Sequence, residues 1–252
     1  MILWQDRLKA ASIHLVLSLL VAALAALLVF GLWYPPPYRE ISGGRELFLL
    51  MVAVDVVLGP LITLAIFNRA KSRPHLLTDF AVIGLIQLTA LGYGLWTVSV
   101  ARPVHLVFEY DRFRVVHALE VPEAELRDAP VSLQALPLRG PTPLALRPLR
   151  KGEEEYQLTV QALNGVPLSA RPGLWIPYEA MRTEVLRAAR PVAELRQRFP
   201  SGATVIDTAV ATAGHPEEAL AAVPVIGRKA FWTALVDRQT AQPLAYLPLD
   251  SF

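Results

Sequence analysis

Three apolar runs dominate the first hundred residues: Ile13 to Tyr34, Glu46 to Phe67 and Asp79 to Ala101. A helix needs about 20 apolar residues to traverse a hydrocarbon core of about 30 Å, where backbone amides find partners only within the protein. The runs predict three transmembrane helices, with spans at about 13–34, 46–67 and 79–101. The rest, 102–252, has to fold outside the membrane. The first run follows Arg7 and Lys9 as a secretory signal would. Its apolar part is longer than a typical signal core, and it ends in Leu32-Trp33-Tyr34-Pro35-Pro36-Pro37 without a small-x-small cleavage site, so it is expected to be retained. Trp33 and Tyr34 read as anchors at the membrane interface.

The short connections set an orientation. Arg7, Lys9, Arg69, Lys71 and Arg73 flank one side of the predicted bundle, against Arg39 and Arg45 on the other. The positive-inside rule then predicts a cytoplasmic N-terminus and 69–73 loop, and a C-terminal part outside the cytoplasm. That part is electrically balanced, with 17 basic and 17 acidic residues among the chain's 24 and 22. No basic stripe with interleaved aromatics marks a nucleic-acid surface. With 0 cysteines, disulfides, thiolate metal sites and a cysteine nucleophile are excluded.

The soluble part holds 16 of the 21 prolines, which favours short elements and many turns. Val104 to Tyr110 and Phe113 to Ala118 read as two strands around an Asp111-Arg112 turn, and Glu120 to Asp128 as an acidic helical stretch. Val131 to Leu149, rich in Pro and Leu, reads as irregular. Tyr156 to Leu163 alternates as a strand would and ends at Asn164-Gly165. Pro177 to Phe199 has helical spacing that Pro191 should divide, ending one helix near Ala189. Phe231 to Val236 and Leu244 to Leu247 flank a loop as a strand pair. The expected fold is a three-helix transmembrane domain, 1–101, followed by an α+β domain, 102–252, with an antiparallel sheet.

Asp55 stands in the middle of the second run, which is otherwise uncharged. A carboxylate at that depth costs roughly 2.5 to 3.5 kcal/mol on insertion scales, so it has to be protonated, paired or held for a partner. Gln87 and Thr89, near the middle of the third run, offer internal hydrogen bonds to its carboxyl; a polar group from another protein's helix is the alternative. Gly59-Pro60 lies one turn on, where proline frees a carbonyl near Val56 and glycine allows close approach of a neighbouring backbone; an ordinary proline kink would have the same sequence. His14, just inside the first run, reads as a helix-end residue near headgroups, too far in depth from Asp55 for contact. His105, His117 and His215 have no metal-ligand spacing, and no GxSxG, P-loop or GxGxxG occurs. Glu153-Glu154-Glu155 reads as a solvated charge run and His215-Pro216-Glu217-Glu218 as a helix start. The chain is not expected to be an enzyme. The cytoplasmic segments, a tail of about a dozen residues and a loop of about eleven, are too short to form an output domain.

Several strings then resemble the TfpX/TfpZ family of type IV pilin accessory proteins. They are Ile13-His14-Leu15, Phe30-Gly-Leu-Trp-Tyr-Pro35, Val54-Asp-Val-Val-Leu-Gly-Pro-Leu61, Asp79-Phe80, Tyr93-Gly-Leu-Trp96, Ala101-Arg-Pro-Val104, Phe108-Glu-Tyr-Asp-Arg-Phe113 and Trp232-Thr-Ala-Leu-Val-Asp237. Their order covers nearly the whole chain. One departure is Thr240-Ala241, where Thr-Gly is expected in the closing loop. The resemblance implies a multi-pass inner-membrane protein of a Gram-negative bacterium, with a periplasmic C-terminal domain. It implies an accessory factor or chaperone that binds a cognate type IV major pilin and modulates pilus assembly, with membrane lipid as its other partner and no cofactor, metal or catalytic residue. Asp55, Gly59 and Pro60 are the expected partner-binding residues, receiving the pilin's transmembrane helix. The alternative is a membrane-anchored periplasmic sensor of a ligand or of the envelope state.

Overall fold

The computed structural model describes residues 4–68, 70–163 and 165–252. Arg69 of the expected basic loop and Asn164 of the expected turn lie outside the described residues. Three helices are long and apolar enough to cross a membrane: α1, Trp4–Trp33; α3, Gly44–Ile66; and α4, Arg73–Val100. Between the first two sits a single turn, α2, Tyr38–Ile41. The helices outrun the apolar stretches at their N-terminal ends. Ser72, in an extended conformation, bonds His75 at 2.7 Å, and Pro74 occupies the first turn of α4, where its missing amide costs nothing. Lys71 closes that turn by pairing with Asp79 at 2.5 Å.

Both α1 and α4 pack on α3 and hardly on each other. Two π-helical segments, Val29–Trp33 in α1 and Val54–Leu58 in α3, interrupt the regular winding. The bundle is best packed at the end near α2, where Val29, Tyr34, Phe48, Met51 and Val98 are buried together and Phe30 meets Phe48 edge to face at 4.9 Å.

Beyond α4 the chain forms one sheet of eight strands: β1, Pro103–Glu109; β2, Arg112–His117; β3, Thr142–Leu146; β4, Trp175–Pro177; β5, Arg190–Pro191; β6, Leu220–Ile226; β7, Phe231–Asp237; and β8, Pro243–Leu247. The order is β4-β3-β1-β2-β6-β7-β8, with β5 paired to one end of β6. The expected β1–β2 hairpin is present, turning at Tyr110 with φ 57. The expectation of an antiparallel sheet is corrected: β3 runs parallel to β1, and β6 parallel to β2. Parallel neighbours need long crossovers, which residues 118–141 and 118–219 supply.

Two further expectations fail. The stretch read as irregular, 131–149, contains β3, held between β1 and β4. The stretch read as a strand, 156–163, belongs to helix α5, Glu153–Leu163, whose Leu158 and Ala162 pack on the core one helical turn apart. The division at Pro191 holds: α6, Arg182–Ala188, ends before it and α7, Val192–Arg198, begins after it. Helix α8, Ala203–Ala213, follows. Ala241 of the closing loop adopts φ 62, the left-handed conformation that the absent glycine would take without strain.

Both faces of the sheet are covered, so successive residues of a strand enter different cores. Leu106 and Phe108 of β1 join Val223, Val225, Ala234 and Val236 on one face. Val104 and Val107 join Leu144, Leu146 and Trp175 on the other, while Leu220, Ala222 and Leu235 meet α7 and α8. The first face is completed by α2, the turn between the two apolar helices. Ile41 is fully buried there, its carbonyl accepts a bond from the Arg228 amide at 3.2 Å, and the Tyr38 hydroxyl meets that of Tyr246 at 2.7 Å. Burial pushes the Tyr38 phenol up to about 12. Tyr34, just upstream, donates to the Val98 carbonyl at 3.2 Å and lays its ring over Gly44.

A side chain on Gly44 would overlap the Tyr34 ring, whereas nothing lies near Gly92. Gly44→Val should therefore destabilise the full chain by roughly 1–3 kcal/mol, the usual penalty of overpacking, with Gly92→Val much milder; thermal unfolding in detergent checks this. His105 supplies a pH-dependent case. Set edge-on to Trp175, its ring is held down to about 4 by burial, which outweighs the opposing effect of its 2.8 Å bond to Thr142. In the unfolded chain the ring takes up its proton near 6.5, so that state binds more protons between these values. The stability from His105 is fully present above about pH 6.5 and is lost progressively toward pH 4, reaching about 3 kcal/mol at its full extent. Unfolding followed by tryptophan fluorescence should show a decline from pH 7 to 5 that His105→Asn flattens.

Candidate functional site

The π segment in α3 has a cause in its sequence. In a π turn the amide of residue i+5 serves the carbonyl of residue i, so the donor for the Asp55 carbonyl would be Pro60, which has no amide hydrogen. Gln87 of α4 supplies the missing donor, its Nε2 reaching the Asp55 carbonyl at 3.3 Å. The approach requires Gly59: a Cβ there would run into the Gln87 amide and stand 3.1 Å from Nε2 of His14. The sequence points to a freed carbonyl near Val56; the π register moves it to Asp55.

His14 closes the network. Its Nδ1 lies 2.5 Å from Thr63 Oγ1 and its Nε2 lies 2.7 Å from Gln87 Oε1. A neutral ring carrying its proton on Nε2 satisfies every member: the Thr63 hydroxyl donates to Nδ1, Nε2 donates to the Gln87 carbonyl, and the Gln87 amide donates to Asp55 O. One side chain from each apolar helix is thereby tied to the others. Where a helix-end residue contacting headgroups was expected, the structure places His14 inside α1, which begins at Trp4, and bonds it to Thr63 and Gln87 within the bundle.

The Asp55 carboxyl stands apart from this network. Its Oδ1 is buried without a hydrogen-bond partner. Gln87 serves the backbone carbonyl of Asp55, and Thr89 bonds the Leu85 carbonyl of its own helix at 2.8 Å. Asp55 lines a cavity of about 310 Å³ between α1 and α4, together with Leu17, Ser18, Val21, Val52 and Leu88. A second cavity of about 460 Å³ continues it on the far side of the His14–Gln87 bridge, bordered by Lys9, Ile13, Phe67, Phe80 and Ile83. His14, Leu17, Gly84 and Gln87 line both. Sharing these residues, the two cavities adjoin as one mostly apolar groove between α1 and α4, crossed by the His14–Gln87 hydrogen bond. Of the three expected site residues, Asp55 faces the groove, Gly59 faces His14 and Gln87, and Pro60 acts through the carbonyl it leaves free. Thr63 carried no signal in the sequence that would single it out.

The other polar side chains flagged in the sequence have roles within the sheet domain. His117 caps the turn at 118–120, where Glu120 accepts from its backbone amide at 2.8 Å; burial would raise the Glu120 carboxyl, but the bonds from His117 outweigh it and hold it below its usual value. Glu154 forms a two-pronged pair with Arg147 at 2.6 and 3.1 Å, which draws its carboxyl down to about 2. His215 bonds the Ala213 carbonyl, and Glu217, in a short 3-10 turn in place of the expected helix start, pairs with Arg196. Among the described residues no group of three or more His, Asp or Glu is placed to hold a metal ion.

Comparison with known proteins adds an independent line. Residues 2–43, the first apolar helix and the turn that docks on the sheet, match the family model described as fimbrial assembly protein FimB. Over 186 residues the chain is 38% identical to the serogroup I fimbrial assembly protein of Dichelobacter nodosus, spanning 74% of this chain and 72% of that protein. The serogroup E1 fimbrial assembly protein of the same organism is 33% identical over 232 residues, spanning 91% and 90%. That of serogroups C1 and C2 is 43% identical over 121 residues, 48% of this chain and 92% of that protein. No solved structure matches the chain. With identity sustained across both the helices and the sheet, the chain belongs to the family of fimbrial assembly proteins.

Proposed function

We propose that this protein is an inner-membrane accessory factor or chaperone that receives the transmembrane helix of a type IV major pilin in the groove between α1 and α4. A role in fimbrial or pilus assembly comes with the family. The finer assignment, to the TfpX/TfpZ pilin accessory proteins with a cytoplasmic N-terminus and a periplasmic sheet, rests on the sequence resemblance and on the distribution of basic residues.

The observation that carries the reading is the Asp55 carboxyl oxygen, buried without a partner in the wall of a mostly apolar groove between α1 and α4. A midspan carboxyl is retained where a polar group meets it, and this bundle's own candidates are committed elsewhere. In this reading the groove lies between two membrane spans, so a single helix enters it from the bilayer plane. The His14–Gln87 bridge holds α1 and α4 at a fixed separation behind it. In this reading Gly59 and Pro60 act indirectly, by building the π turn that aims Asp55 at the groove.

Photocrosslinking in membranes tests the groove. Crosslinkers at Val21 and Leu88 should capture the cognate pilin, while crosslinkers at Leu27 and Leu50, exposed elsewhere on the bundle, should not. Equal capture at all four positions, or none at Val21 and Leu88, rejects the groove. Co-purification with pilin separates the roles of Asp55. Retention in Asp55→Asn with at least tenfold loss in Asp55→Leu indicates a hydrogen bond to the partner, and loss in both indicates charge. Full retention in both assigns Asp55 to the bundle's own packing.

A further inference from the structure

The uncharged stretch Ala129 to Leu138 in the sheet domain has a position that the pilin reading leaves unused. Arg102, the second residue beyond α4, ties it down: the guanidinium donates to the Pro137 carbonyl at 3.3 Å and to the Ser99 carbonyl at 2.7 Å, and the Arg102 carbonyl accepts from the Ala118 amide at 2.9 Å. The next residue along each tethered strand of chain is a large apolar one facing outward. Leu119 is 55% exposed and Leu138 is 68% exposed.

The height of these residues can be fixed from α4. Tyr93 and Trp96, both exposed near its end, pair at 5.7 Å and form the aromatic belt expected where a helix leaves the hydrocarbon. Trp96 and Arg102 are six residues apart, about 9 Å at 1.5 Å per residue. Apolar faces that rest in a membrane interface reach about 5–10 Å into the boundary between headgroups and acyl chains. The charges beside the two leucines suit that setting. Glu120, next to Leu119, is turned back onto His117, and Arg139, next to Leu138, is exposed and basic, as a phosphate neighbour would be.

We propose that Leu119 and Leu138 rest in the lipid headgroup and acyl boundary, forming a second membrane contact that fixes the tilt of the sheet domain on the bilayer. The partner is the lipid surface itself, continuous with the lipid around the exit of α4. The inference rests on the three helices crossing a bilayer and is independent of what occupies the groove.

The chain has no cysteine, so single spin labels report depth without background. The full chain in lipid vesicles, labelled at Leu119→Cys or Leu138→Cys, is compared with two exposed references. Tyr110→Cys marks the aqueous end, since Tyr110 follows β1, whose run from Pro103 to Glu109 carries the chain about 20 Å at 3.3 Å per residue away from the end of α4. Leu85→Cys marks lipid, on the exposed face of α4. The ratio of oxygen to nickel-chelate collisions at 119 and 138 should exceed that at 110 severalfold and approach that at 85. A ratio equal to that at 110 overturns the proposal, as does shielding from both reagents, which would mean cover by protein. An aqueous ratio at 85 as well would show that the membrane reading itself had failed.

Discussion

Burial of Ile41 and Tyr38 in the sheet's own core is the constraint on which the rest of the molecule depends. A loop between two apolar helices would ordinarily be solvated and mobile. Here it supplies side chains without which one face of β6 and β7 would be incomplete. The same turn sets Tyr34 against Gly44 and the Val98 carbonyl, so the ends of all three apolar helices are gathered at one place. The ion pair between Lys229 and Glu46, at 3.4 Å and exposed, adds little by comparison. Shape and apolar contact, rather than charge, lock the helices to the sheet.

With one end of the bundle fixed in this way, the other end is where the helices separate. Small hydrogen-bonded contacts replace close packing there: His14, Thr63 and Gln87 tie α1, α3 and α4 across a groove that apolar side chains do not fill. The proline that frees the Asp55 carbonyl is what recruits Gln87, and Gln87 is what positions His14. Asp55 thus contributes its backbone to the bundle's own network and leaves its carboxyl to the groove.

How much of this was legible depended on which physical signal each segment carried. The three apolar helices could be read from length and hydropathy, but their starts could not, because Ser72 and Pro74 set the beginning of α4 through local geometry that hydropathy does not register. Hydropathy likewise starts α1 at Ile13, which leaves His14 at a helix end, whereas α1 begins at Trp4 and sets His14 against Thr63 and Gln87. Tyr156 to Leu163 is compatible with a two-residue period and with a helical one over its eight residues, and the helix that contains it starts upstream at Glu153 with an acidic first turn that suits its dipole. The parallel pairing of β3 and β6 was invisible for another reason, since partners separated by long crossovers leave no trace in local alternation. Asp55 was legible from its cost alone. That its carbonyl, and not its carboxyl, meets Gln87 depends on a π register that no sequence period announces.

The bond between Tyr38 and Tyr246 joins positions 208 residues apart. Synthesis from the N-terminus delivers all three apolar helices long before β6 to β8 exist, so the turn that will be buried beneath those strands first emerges with nothing of theirs to cover it. The order of synthesis therefore makes the sheet the last component to close, and its closure is the event that joins three apolar helices and a sheet into a single body. While Ile41 is accessible, the fold is unfinished.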